Sequence, residues 1–216
     1  MSRRGAKGPS QIATSSSPSP RTDPRLREWL ARVLETPGLT AIEDPADARR
    51  VLLDDSLRSV GTVARFEGSI VDVGSGGGAP GIPLAAAFPD REVVLLEANR
   101  RKAAFLEEAA LAFPNARVVC GRAEEQEVDG FGVAVAKALA PPPVAAEWCL
   151  PLVRPGGAAV LYVGPSADDG HVARVASRLG GEPVEGPEGL LVLRKVRPTP
   201  AGFPRRPGMA RKRPLE

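Results

Sequence analysis

The 216-residue sequence holds a single histidine, two cysteines and two methionines, and aromatic side chains make up only 4% of it. Cys120 and Cys149 stand far apart in apolar surroundings, with neither a metal-ligand spacing nor a disulfide framework. No metal site is therefore expected, and both cysteines are expected to pack in the core. His171, the one histidine, reads as decoration of a helix start. No run of about 18 apolar residues exists, which excludes a membrane-spanning helix. The N-terminus has charges and serines where a signal peptide would have an apolar stretch, so a cytoplasmic location is expected. With so few rings the core must be aliphatic. Alanine, valine and leucine dominate, as suits helices laid on a parallel sheet.

Glycine and proline, by contrast, are plentiful, at 23 each, and five of the glycines and two of the prolines fall in one stretch, Ser69 to Leu84. Ile70, Val71 and Val73 form a β-branched run broken by Asp72, which predicts a strand of a covered parallel sheet. Gly74, Gly76, Gly77, Gly78 and Gly81 follow, allowing a sharp turn and the approach of a ligand to bare amides. Pro80 and Pro83 both fit the first turn of the next helix. Cofactor binding is the implied task. Gly76-x-Gly78-x-x-Gly81 formally matches the dinucleotide fingerprint, and Glu97 lies about 20 residues on, where a ribose-binding acid belongs. Two features favour S-adenosylmethionine instead: the spacing Gly74-x-Gly76-x-Gly78, and Asp72 two residues before its first glycine. A carboxylate there would face the cationic, amine-bearing end of that cofactor and would repel a pyrophosphate.

The rest of the chain alternates. Leu26, Trp29, Leu30, Val33 and Leu34 share one face of a helix that starts at Pro24 and ends at Pro37-Gly38. A second helix is predicted from Asp44-Pro45 through Val51, Leu52, Leu53 and Leu57, and the pair would flank the cofactor domain as a lid. Then come helix 82–88, strand 92–97, helix 99–112, strand 116–120, a polar loop 121–130, strand 131–136, helix 142–153, strand 158–163 and helix 168–179. Segments 182–185 and 190–196, joined by Gly186-Pro187-Glu188-Gly189, read as a β-hairpin. This pattern predicts an α/β, Rossmann-like fold. Its sheet is mostly parallel and ends in an antiparallel hairpin, the habit of S-adenosylmethionine methyltransferases.

Ligands of such sheets bind outside the carboxyl ends of the strands. Glu97 stands at the end of the second strand. Its two carboxylate oxygens suit ribose hydroxyls, though it would serve equally as a cap before Asn99. Ala123 and Glu124 follow the third strand, where an adenine would be flanked and its amine accepted. The rival reading is a solvated acidic run of Glu124, Glu125 and Glu127. After the fourth strand comes Lys137-Ala138-Leu139-Ala140-Pro141-Pro142-Pro143, without the Asp or Asn and the aromatic ring that amino-group methyltransferases place there. Cys149 follows Trp148, not proline, which argues against covalent cytosine-C5 chemistry. Nucleophiles that need no deprotonation remain. A ring nitrogen such as guanine N7 is one, since positioning its lone pair could suffice.

At these residues the sequence resembles the GidB/RsmG family of bacterial small-subunit ribosomal RNA methyltransferases, which methylate N7 of one guanine in 16S RNA. The resemblance spans roughly residues 26 to 215. It rests on Leu39-Thr40-Ala41-Ile42, Asp55-Ser56-Leu57, the glycine loop through Pro80-Gly81-Ile82-Pro83-Leu84-Ala85, Arg101-Lys102 with Phe105-Leu106, Arg122-Ala123-Glu124-Glu125, Ala136 to Ala140, Arg197-Pro198-Thr199-Pro200 and Phe203 to Gly208. It implies cofactor contacts at Gly74, Ala79, Ala123, Glu124 and Lys137. Residues Gly76, Gly78 and Glu97 join them from the reading of the loop itself. The family commonly has Arg where Lys137 stands, His at Leu52, Asn at Gly38 and Lys at Val163.

Charge is uneven: residues 1–23 carry +3, residues 194–216 carry +7, and the body between them −7. Arg197, Arg205, Arg206, Arg211, Lys212 and Arg213 are therefore expected to hold RNA phosphates. The organisation expected is a disordered basic tail at 1–23, flanking helices at 24–60, a methyltransferase domain at 61–196 and a basic tail at 197–216. The leading expectation is a monomeric, S-adenosylmethionine-dependent methyltransferase of 16S ribosomal RNA or the small ribosomal subunit. A non-catalytic RNA-binding module, a methyltransferase with another substrate and a nucleotide-dependent oxidoreductase are the alternatives.

Overall fold

Asp23 opens the first helix, accepting a hydrogen bond from the Arg25 N–H at 2.9 Å, and Pro24 occupies its first turn. This helix, α1 (Pro24–Glu35), buries Leu26, Trp29, Leu30 and Val33 along one stripe. The computed structural model describes residues 19–164 and 169–215. The expectation for residues 1–18 lies outside them, but order begins earlier than residue 24. Pro20–Thr22 form a 3₁₀ turn, and Arg21 pairs with Asp54 at 2.6 Å.

The single helix predicted from Asp44 is instead four short pieces: α2 (Pro45–Ala48), a π-helical segment Arg49–Asp54, a 3₁₀ turn Ser56–Ser59 and α3 (Val60–Val63). The cause is competition for backbone groups. The Asp55 N–H reaches back to the Arg50 carbonyl, while the Val51 carbonyl accepts from Lys137 Nζ at 2.9 Å and the Ser56 carbonyl accepts from the Tyr162 hydroxyl. Two side chains from elsewhere in the fold thus draw off carbonyls of this segment, and its winding changes.

Beyond it run β1 (Ile70–Val73), α4 (Gly81–Ala87), β2 (Val93–Glu97), α5 (Arg100–Ala110), β3 (Ala116–Cys120), β4 (Phe131–Lys137), α6 (Pro142–Cys149), β5 (Val153–Tyr162), α7 (Asp169–Arg178), β6 (Gly181–Val184), β7 (Leu190–Lys195) and α8 (Met209–Lys212). The seven strands lie in the order β3-β2-β1-β4-β5-β7-β6. Strands β1 to β5 are parallel, and β7 runs antiparallel between β5 and β6. The expected parallel sheet with a closing hairpin is therefore present. Strand order reverses between β1 and β4, the switch point where α/β sheets take ligands. Helix α6 stops four residues short of its predicted end. Pro151 lies in a 3₁₀ turn there, and β5 starts at Val153 and bulges between its pairings to Phe131 and Val133.

Both sheet faces are covered. On one, α1, α4 and α5 bury Trp29, Ile82, Leu84 and Leu106 against Ile70, Leu95 and Val133; on the other, α6 and α7 bury Cys149, Val172 and Val175 against Val71, Ala134 and Leu161. Cys149 packs as expected. Cys120 does not: it is exposed at the last residue of β3, near the sheet edge.

The basic segment 197–215 is not a free tail. Leu215 is buried in the α6–α7 layer, its carbonyl 2.7 Å from His171 Nε2, and Ala210 is buried as well. Lys195, fully buried, donates to the Leu150 carbonyl and to Thr199 Oγ1, with Asp129 3.4 Å away. Burial pulls its ammonium below the usual lysine range and Asp129 opposes that.

Candidate active site

The glycine loop leaves β1 at the switch point. Gly74 and Gly76 have φ of +74° and +56°, a left-handed geometry that favours glycine. A Cβ on Gly74 would come within 2.3 Å of Leu139 Cδ1. The loop is fixed by its own backbone and by neighbours: the Gly74 and Ser75 amides donate to the Leu96 carbonyl, and Trp29 Nε1 donates to the Gly77 carbonyl at 2.8 Å. Its outer side walls a cavity of about 660 Å³, within the usual range for a small-molecule site.

Asp72 does not face that cavity. It is 1% exposed; one carboxylate oxygen accepts from the Gly81 N–H at 2.9 Å and the other has no partner among the described residues. Burial raises its carboxyl to about 7, with the Gly81 bond opposing. The expected contact with a cationic ligand is thus replaced by a tie between β1 and the start of α4. Gly78 also stands behind the loop, off the cavity wall. A Cβ there would meet Ile82 and Trp29 at 2.8 and 2.9 Å, so its glycine serves packing.

The other predicted cofactor positions converge: Gly74, Gly76, Ala79, Glu97, Ala123, Glu124 and Lys137 all line the cavity. Glu97 takes the capping role, and it also lines the cavity. One carboxylate oxygen accepts from the Asn99 N–H at 2.7 Å and the other from the Gly76 N–H at 2.9 Å, while Asn99 itself caps α5. The carboxylate is thereby aimed across the loop with lone pairs left for a ligand's hydroxyls. Ala123 is buried, and Glu124 accepts from the Gly208 N–H at 3.0 Å, so it is not part of a solvated acidic run. Lys137, besides its bond to the Val51 carbonyl, lies 3.2 Å from Asp55.

The six basic residues separate. Arg197, Arg206, Arg211, Lys212 and Arg213 are exposed. Arg205 is not presented as a phosphate contact: its guanidinium grips both oxygens of Glu147, a carboxylate only 3% exposed on α6. Three contributors to the cavity wall lie outside the cofactor positions read from the sequence, although Arg211 is among the expected phosphate contacts. Trp148 and Leu139 reach the cavity wall from α6 and the β4 end, and the C-terminal segment brings Gly208 and Arg211 to its mouth. Nothing local in the sequence places Gly208 and Arg211 at the cavity, because their partners, Glu124 and Leu139, lie 84 and 72 residues away. No group of three metal-ligating side chains occurs among the described residues.

Strand order, inserted antiparallel β7 and a glycine loop over a switch-point cavity define the class I methyltransferase fold. Two solved structures share it: a geranyl diphosphate methyltransferase (TM-score 0.52, 13% identity, 72% of this chain and 76% of that one) and a mutant of MtNAS in complex with S-adenosylmethionine (TM-score 0.53, 16% identity, 80% and 72%). The chain belongs to the GidB family, whose model, described as rRNA small subunit methyltransferase G, matches residues 25–178. Relatives named ribosomal RNA small subunit methyltransferase G include those of Synechococcus sp. strain JA-3-3Ab (37% identical over 83% of this chain and 79% of the relative) and Roseiflexus castenholzii (38%, over 88% and 87%).

Proposed function

We propose that this chain methylates N7 of a guanine in 16S ribosomal RNA, using S-adenosylmethionine, and that it works as a monomer in the cytoplasm. The observation that carries the reading is the junction of the Gly74–Gly77 loop with the Glu97 carboxylate on one cavity wall, in a chain whose relatives are named as small-subunit ribosomal RNA methyltransferases. Half-buried glycine backbone along the cavity wall and a carboxylate bonded to it fit an adenosine whose ribose carries two hydroxyls. Ala123 would flank the adenine, Glu124 would border it, and Lys137 would lie at the reacting end. When bound, the cofactor would supply an electrophilic methyl on a sulfonium, which a lone pair such as that of N7 can accept without first losing a proton. No side chain has to remove a proton, so the chain's contribution is alignment and exclusion of water. That agrees with a cavity whose lining, among the described residues, holds no histidine, and with the carboxylate beside Lys137, Asp55, being held in an ion pair with it.

The decisive experiment is mass mapping of 16S RNA from cells with and without this gene. Loss of one N7-methylguanine, restored by the intact gene, is the result expected. Unchanged RNA would reject the substrate, and calorimetry with S-adenosylmethionine would then decide whether the cofactor assignment survives.

A further inference from the structure

Amino-group methyltransferases set an aromatic ring after the fourth strand to stack the target base; here that place is taken by Ala138-Leu139-Ala140, which has none. A flat surface nevertheless stands beside it. The Arg211 guanidinium lies 5.1 Å from the centroid of the Trp148 ring and donates from Nη2 to the Leu139 carbonyl at 3.3 Å. The two contacts hold the plane of Arg211 against the end of β4. The indole N–H of Trp148 is buried and has no hydrogen-bond partner among the described residues, so no polar contact accounts for the placing of that ring. Its face backs the guanidinium.

We propose that this Trp148–Arg211 pair is the platform on which the target base of the RNA stacks. The inference rests on the function proposed above and adds the residues that receive the base. The inner side of Arg211 is occupied by Trp148, while Arg211 itself is exposed and borders the cavity mouth. Unstacked RNA bases lie on aromatic rings and on arginine planes alike, and a guanidinium backed by an indole offers a rigid, electron-poor surface. Position separates this role from adenosine binding. Glu97 and Ala123 follow β2 and β3 on one side of β1, whereas the Leu139 carbonyl that fixes Arg211 follows β4 on the other. The short segment from Gly208, bonded to Glu124, to Arg211, bonded to Leu139, crosses between the two sides.

The test compares Arg211→Ala, Arg211→Lys, Trp148→Leu and Trp148→Phe with the intact protein. Calorimetry reads cofactor affinity, and methyl transfer to small ribosomal subunits gives kcat and KM. Arg211→Ala, Arg211→Lys and Trp148→Leu are expected to raise the KM for RNA tenfold or more and leave the cofactor Kd within twofold. Trp148→Phe, which keeps a ring, should stay near the intact protein. Full activity in Arg211→Lys would mean that charge alone matters, as in a phosphate contact, and would overturn the proposal; so would a weakened cofactor Kd, which would assign Arg211 to adenosine. A second measurement does not depend on turnover. A short single-stranded RNA with one guanine should quench tryptophan emission, the same RNA with an abasic site there should not, and Trp148→Phe should lose the effect. Base-dependent quenching in a protein that does not methylate RNA would keep the platform and reject the function proposed above. Quenching indifferent to the base would overturn the platform even in an active enzyme.

Discussion

Asp72 is a carboxyl group with one satisfied oxygen, one orphan oxygen and no solvent, at the centre of a parallel sheet. Burial raises it to about 7 from an ordinary 3.8, so the folded protein holds a proton that the unfolded chain releases near pH 4. The stability tied to that proton is full below about pH 4 and is lost as pH rises to about 7. Asp72→Asn removes this dependence and keeps an acceptor for the Gly81 amide. Urea unfolding at pH 5 and pH 8 should show the variant gaining on the parent between the two, by a few kcal/mol in order of magnitude. A constant difference would show that Asp72 is ionised throughout. The next residues answer a different question. Gly74→Val must force a β-branched side chain into a left-handed backbone and onto Leu139, at about 1–2 kcal/mol for the backbone alone. Calorimetry should find S-adenosylmethionine binding weakened beyond a hundredfold in a protein that still folds by circular dichroism; retained affinity would remove the loop from the cofactor site.

Segment 45–63 is an element whose sequence misleads. Its apolar spacing is helical and Asp44 caps it as predicted, yet the π turn and the 3₁₀ turn come from Lys137 and Tyr162, residues 86 and 106 positions away from their partners in it. A periodicity argument cannot include such partners, because it sees only neighbours along the chain. The β1–loop–α4 unit is legible for the opposite reason: strand residues, glycines and the helix start follow one another within sixteen positions. Lys137→Met tests the tie directly. The ammonium is mostly buried against Val51 and Asp55, and its loss leaves a half-buried carboxylate and a freed carbonyl, a cost of about 1–3 kcal/mol. Hydrogen exchange should speed up in residues 50–59 and stay unchanged in β1 and β2. Unchanged protection in 50–59 would mean that the segment keeps its winding by itself.

At the scale of the whole molecule, the −7 of residues 24–193 and the +7 of residues 194–216 are not a body and a detached tail; the positive segment is folded onto the negative domain. Composition revealed the asymmetry but not its consequence. Whether a basic stretch stays free depends on what waits for it, and here that is a carboxylate, Glu147, 3% exposed on α6. A buried carboxylate that loses its cation is left uncompensated, whereas removing both partners is far cheaper. Arg205→Ala should therefore destabilise the protein by about 2–4 kcal/mol, the lower part of that range reflecting the partial exposure of the guanidinium. Glu147→Gln alone should cost less, and the double variant should recover part of the Arg205→Ala loss. Thermal unfolding of the four proteins measures the coupling. Limited proteolysis adds where the damage falls: Arg205→Ala should open cleavage within 200–215 before any cut in the sheet, because Leu215 and Ala210 then lack their nearest ion-pair anchor. If Arg205→Ala neither lowers stability nor exposes that segment, apolar packing alone closes the molecule, and Arg205 is released to the phosphate-binding role that its sequence first suggested.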